Sequence, residues 1–126
     1  MPVYASFMKL FIEDDLSEFT RCIKTRARQF PKTICVALVI LENMMKSGEC
    51  KFDFLMAVAN SLATYNHGRT IHVINLFNRV ILQIDDLPLS ECDRSELRNT
   101  VEATISPKPV LRINFGDSSF VRRIQC

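Results

Sequence analysis

Apolar residues recur along most of this chain at three- and four-residue spacing, the pattern of amphipathic helices. One run departs from it. Thr70–Ile84 reads Thr-Ile-His-Val-Ile-Asn-Leu-Phe-Asn-Arg-Val-Ile-Leu-Gln-Ile. Its apolar residues reach nearly every side of a helical wheel, and a helix apolar all round is usually buried all round. At roughly 1.5 Å per residue the run spans about 22 Å, close to the width of a small domain. The pattern therefore predicts a buried central helix that other helices wrap. A membrane span would need about 20 mostly apolar residues, and His72, Asn75, Asn78 and Arg79 interrupt this one.

The other elements follow in order. Pro2–Ile12 is apolar with few polar breaks and reads as a first helix, with a strand as the alternative. Asp14-Asp15 offers N-caps, and Glu18 stands three residues after Asp15 in capping-box spacing. Leu16, Phe19, Ile23, Ala27 and Phe30 then form an apolar stripe, opposite Arg21, Lys24, Arg26 and Arg28. Pro31 suits the first turn of a new helix, with Ile34, Leu38, Leu41 and Met45 as its buried stripe. Ser47-Gly48 stops it, glycine being able to take the left-handed cap. Phe52–Thr64 follows, with Phe54, Leu55, Val58 and Leu62 on one face. The chain turns through Tyr65-Asn66-His67-Gly68 into the central run, and Asp85-Asp86-Leu87-Pro88 breaks that run. Ser90 caps a further helix whose inward face is Leu97, Val101, Thr104 and Ile105. After Ser106-Pro-Lys-Pro109, Val110–Phe115 and Phe120–Ile124 read as a β-hairpin on propensity alone.

Composition narrows the class. A chain of 126 residues with 48% hydrophobic and 24% charged residues is expected to form one soluble globular domain, residues 1–126. The net charge of +2 does not by itself imply nucleic acid or an acidic membrane. The five cysteines, Cys22, Cys35, Cys50, Cys92 and Cys126, show no Cys-x-x-Cys spacing, so they read as reduced thiols rather than zinc ligands. Neither the apolar start nor the end Phe120-Val-Arg-Arg-Ile-Gln-Cys126 reads as a signal peptide or tail anchor. The expected location is the cytoplasm. His67 and His72 are the only histidines, no nucleophile stands at a motif-like spacing to them, and the three glycines form no phosphate loop. No enzyme, metal or cofactor is expected.

The turn before the central run carries the most specific chemistry. Gly68 removes a side chain where backbones or a partner would approach closely. Arg69 opens a mostly apolar helix and must keep its guanidinium in water or pair it. Asn66 offers an amide beside it. Together they form a natural receptor for one carboxylate set among apolar anchors.

The order of these parts resembles the Bcl-2 family of apoptosis regulators. An amphipathic helix leads into Asn-x-Gly-Arg, then come an apolar helix, another amphipathic helix, and an Asn-x-Gly…Phe segment. Asn66, Gly68 and Arg69 match the family's first homology motif, Asn-Trp-Gly-Arg, with His67 in place of tryptophan. Leu111, Asn114, Gly116 and Phe120 match its second motif in register or by type. Val110, Phe115 and Asp117 depart from it. The resemblance covers about Phe52 to Ile124, and its short form looks like that of a viral member. In that family the second motif is helical, which sets the hairpin aside.

The resemblance implies an all-α, Bcl-2-like helical bundle that blocks apoptosis. It would hold the homology 3 helix of pro-apoptotic proteins (Bim, Bak or Bax type) in a groove, a known helix-in-groove mode. It implies that Arg69 pairs with the partner's aspartate, that Asn66 bonds the same carboxylate, and that Gly68 admits the partner helix. Phe54, Val58 and Leu62 would line a wall, with Val73 and Phe77 on the floor. Plain core packing is the competing role for those five. A homodimer stays open. Two competing functions are a small basic nucleic-acid-binding accessory protein using Arg21, Lys24, Arg26 and Arg28, and a helical adaptor with no groove.

Overall fold

The computed structural model describes residues 3–66 and 70–105, with side chains described from Ala5 onward. Six α-helices account for most of them: α1 (Val3–Ile12), α2 (Leu16–Gln29), α3 (Ile34–Lys46), α4 (Phe52–Ser61), α5 (Ile71–Ile84) and α6 (Glu91–Ile105). A single 3₁₀ turn, Leu62–Thr64, extends α4. No strand occurs among the described residues, so the described part is an all-α bundle.

Helix contacts define two rows. α1 packs on α3 and α3 on α5, while α2 packs on α4 and α4 on α6. The rows are joined pairwise as α1 with α2, α3 with α4, and α5 with α6. The result is three helical hairpins laid side by side. α3 and α4 occupy the middle, each flanked within its row and backed by the other.

The apolar stripes explain this order. Phe19, Ile23 and Ala27 of α2, Phe54, Leu55, Val58 and Ala59 of α4, and Leu97 and Val101 of α6 are all buried. Edge-to-face rings join α1 to α2 through Phe7–Phe19 at 5.9 Å, and tie this hairpin to the second through Phe11–Phe54 at 5.4 Å and Phe19–Phe54 at 5.0 Å. Such pairs add roughly 0.5–1.5 kcal/mol each beyond the area they bury.

Most helix ends are closed by local chemistry. α1 ends in a Schellman arrangement: Asp15 N–H donates to Leu10 O (3.0 Å) and Asp14 N–H to Phe11 O (3.2 Å). Asp14 takes the left-handed conformation, φ +62°. The next residue, Asp15, caps α2 by accepting from Glu18 N–H at 3.2 Å. Glu18 does not complete the capping box; its carboxylate binds Arg21, which holds it below the usual carboxylate range. Gly48 follows α3 at φ +87°, the left-handed cap expected of it. Thr70 caps α5 by accepting from Val73 N–H (3.3 Å), and Ser90 caps α6 by accepting from Asp93 N–H (3.1 Å).

The structure corrects several expectations. α5 is not buried all round. Val73, Leu76, Phe77, Val80 and Ile84 face inward, but Ile71 and Leu82 are 73% and 68% exposed. The physical reason is position: α5 ends its row, so only the sides facing α3 and α6 are covered. The helix enclosed on most sides is α3, in which no residue from Ile34 to Met45 is exposed. Phe30 leaves the predicted stripe of α2, because the helix ends at Gln29 and its ring stacks under Arg26, 4.5 Å away, half in solvent. Pro31 lies in the turn before α3 rather than in its first turn, and Thr33 is the N-cap. Met45 is only half-buried. Val110–Phe115 and Phe120–Ile124 lie outside the described residues, as do the second-motif positions Leu111, Asn114, Gly116 and Phe120.

Candidate functional site

The approach to the motif is well anchored. α4 runs into the 3₁₀ turn through Ser61, whose Oγ donates to Val58 O at 2.6 Å. Tyr65 N–H then donates to Leu62 O (3.2 Å), and Asn66 N–H donates to Pro31 O. The second bond ties the residue that opens the motif to the turn between α2 and α3. The Tyr65 ring is buried, and burial pushes its hydroxyl pKa above the ordinary value, partly offset by the positive charge of Arg26. Asn66 itself is exposed. His67, Gly68 and Arg69 lie outside the described residues.

The predicted wall and floor residues are brought together, but as core. Phe54, Val58, Leu62, Val73 and Phe77 are all buried in the same apolar cluster. In this arrangement none of the five presents a surface to a partner helix. What α5 turns outward is a second set, Ile71, Ile74, Asn75, Asn78 and Leu82. Ile74 is 39% exposed, and Ile81 beside it is half-buried. Sequence reasoning missed these positions because it treated the helix as enclosed. A signal was present: the apolar residues Val73, Leu76, Phe77, Val80 and Ile84 already complete an inward stripe at i, i+3, i+4, i+7 and i+11. Ile71, Ile74 and Leu82 are surplus to it.

Two ionic groups lock the framework of the bundle, one of them on α5. Glu42 on α3 is 7% exposed and accepts three bonds from α5: Arg79 Nε (3.0 Å), Arg79 Nη2 (2.9 Å) and Gln83 Nε2 (2.8 Å). The Arg79 bonds, aided by Gln83 and the nearby positive charges, outweigh desolvation and hold the Glu42 carboxyl below its usual range. Arg79 rises in turn through the same pair. At the other side, Lys51 reaches under the end of α1. Its Nζ donates to Phe11 O (2.5 Å), lies 4.7 Å from the Phe11 ring centroid, and faces Asp14 and Glu49 at 3.5 and 3.6 Å.

The basic run of α2 is not a free cationic stripe. Arg21 is paired with Glu18, and Arg26 is stacked on Phe30; Lys24 and Arg28 are exposed. Cys22, Cys35, Cys50 and Cys92 are half-buried and none is in a disulfide. Burial raises the Cys50 thiol pKa. Among the described residues no group of histidines, cysteines and carboxylates could hold a metal, and no helix is long and apolar enough to cross a membrane. Comparison with known proteins gives no matching family model, no matching curated protein and no matching solved structure.

Proposed function

We propose that the protein binds an amphipathic helix carrying a carboxylate and, in the manner of the Bcl-2 family, restrains pro-apoptotic homology 3 proteins in the cytoplasm. The observation that carries this reading is a juxtaposition along the chain. Asn66-x-Gly68-Arg69 leads within two residues into a helix with Ile71 and Ile74 exposed. An amide and a guanidinium beside an apolar strip suit one acidic residue flanked by apolar anchors on a partner helix. In this reading the receptor surface is the outer face of α5. Val73 and Phe77 support it from beneath, while Phe54, Val58 and Leu62 lie in the core, and none of the five touches the partner. Function is by binding, without catalysis.

The test is a titration against labelled homology 3 peptides, with the wild type beside Arg69→Ala and Ile74→Asp. Saturable binding weakened at least tenfold by each substitution, about 1.4 kcal/mol, is the expected result. A peptide panel that does not bind at about 100 µM, where binding free energy is only about −5.5 kcal/mol, would refute the reading. The salt response separates it from nucleic-acid binding, which falls steeply as salt rises.

A further inference from the structure

The outward face of α5 has an internal symmetry that the helix-binding reading does not use. Four exposed residues lie along one line of the helix: Ile71, Asn75, Asn78 and Leu82. Their spacing is four, three and four, which keeps a straight seam on an α-helix. The order is apolar, amide, amide, apolar. Read from either end, spacing and chemistry are the same, and the midpoint falls between Leu76 and Phe77. Those two residues point the other way, into the core.

A palindromic stripe is complementary to itself when two helices run antiparallel. Across a two-fold axis through that midpoint, Ile71 of one copy faces Leu82 of the other, and Asn75 faces Asn78. Both relations then repeat by symmetry, which is the requirement for an isologous interface. Each amide both donates and accepts, so two facing asparagines satisfy each other where an apolar partner would leave them unpaired. An amide pair inside an apolar seam fixes register, as a single asparagine does in coiled coils. Opposed helix macrodipoles favour the antiparallel sense. At the flanks, Ile74 of one copy falls on the same side of the seam as Ile74 of the other and widens its apolar part.

We propose that the protein self-associates through α5, antiparallel about the point between Leu76 and Phe77, with a second copy as the occupant of this stripe. The helix has 14 residues and offers well under the roughly 800 Å² per partner of a standard stable interface. The dimer is therefore weak and reversible, present at high protein concentration and lost on dilution. A partner helix seated on the same stripe would displace the second copy, but self-association does not depend on that partner.

The test is mass by analytical ultracentrifugation of the full chain, without peptide, from about 1 µM to about 500 µM, a range spanning roughly 3.7 kcal/mol of association free energy. A reversible monomer–dimer equilibrium is expected. Ile71→Lys alone and Leu82→Glu alone should each weaken it at least tenfold, while far-UV circular dichroism stays unchanged because both sites are exposed. The double variant is decisive. In the antiparallel pairing each lysine meets a glutamate, so dimerisation returns. In a parallel pairing lysine meets lysine, and it does not. A monomer throughout the range would overturn the proposal, and another segment or protein would then cover the stripe. So would a dimer indifferent to both single changes, or a double variant as monomeric as the singles.

Discussion

Replacing Arg79 by alanine strips the buried Glu42 carboxylate of two of its three hydrogen bonds and leaves it only Gln83. A hydrogen bond to a charged group contributes more than one between neutral groups, and here two are lost together. The arginine side chain, however, is 56% exposed. Water entering where it was would solvate the carboxylate and screen the loss, so the expected result is a lower urea midpoint, well short of the effect of breaking a fully buried pair. The opposite truncation should cost less. Glu42→Met replaces a buried charge by a group of similar volume, and the arginine it releases is already half in water. Replacing both partners should be nearly neutral, since a buried ion pair repays little beyond its desolvation. The assay is urea unfolding followed by circular dichroism at pH 7. The pH dependence follows from the lowered pKa of Glu42. A depressed carboxyl pKa contributes stability that is present above the unfolded value, about 4.3, and is lost as pH falls through the lower folded value. The gap between wild type and Arg79→Ala should therefore shrink progressively below about pH 4. The reasoning fails if Glu42→Met proves the more damaging single change, or if the gap is as wide at pH 3 as at pH 7.

Three further outcomes are expected. Arg69→Ala should lower affinity for a homology 3 peptide at least tenfold, about 1.4 kcal/mol, and replacing the peptide aspartate by alanine should abolish most of that difference; additive losses would mean the two groups do not meet. Asp14→Gly should stabilise the protein by up to about 1 kcal/mol, because Asp14 sits at φ +62° where a Cβ is costly, and its ion pair with Lys51 at 3.5 Å is exposed on the aspartate side; chemical denaturation would reveal a loss instead if that pair matters more. Cys50, whose thiol pKa is raised by burial, should alkylate more slowly at pH 8 than an unstructured thiol, measured by mass spectrometry of tryptic peptides; labelling at the free-thiol rate would contradict the burial.

The sequence by itself determined the elements. Caps and breaks are local chemistry: Asp15, Ser90 and Gly48 act where their side chains or backbone freedom say they should, and all are read within a few residues. The helical character of the described residues follows from apolar spacing for the same reason. The stripes of α2, α4 and α6 were legible because one face of each is apolar and the other is not. What the tertiary structure alone decided is which helix lies in the middle. α3 and α5 are both rich in apolar residues, and periodicity cannot rank two such helices; enclosure depends on which neighbours each acquires. Placing α5 at the end of its row turned Ile71, Ile74 and Leu82 from presumed core into surface, while Val73 and Phe77, offered as a groove floor or as core, pack in the core. The Glu42–Arg79 pair was out of reach for the same reason. Its partners stand 37 residues apart, and only the packing of α3 against α5 makes them one group.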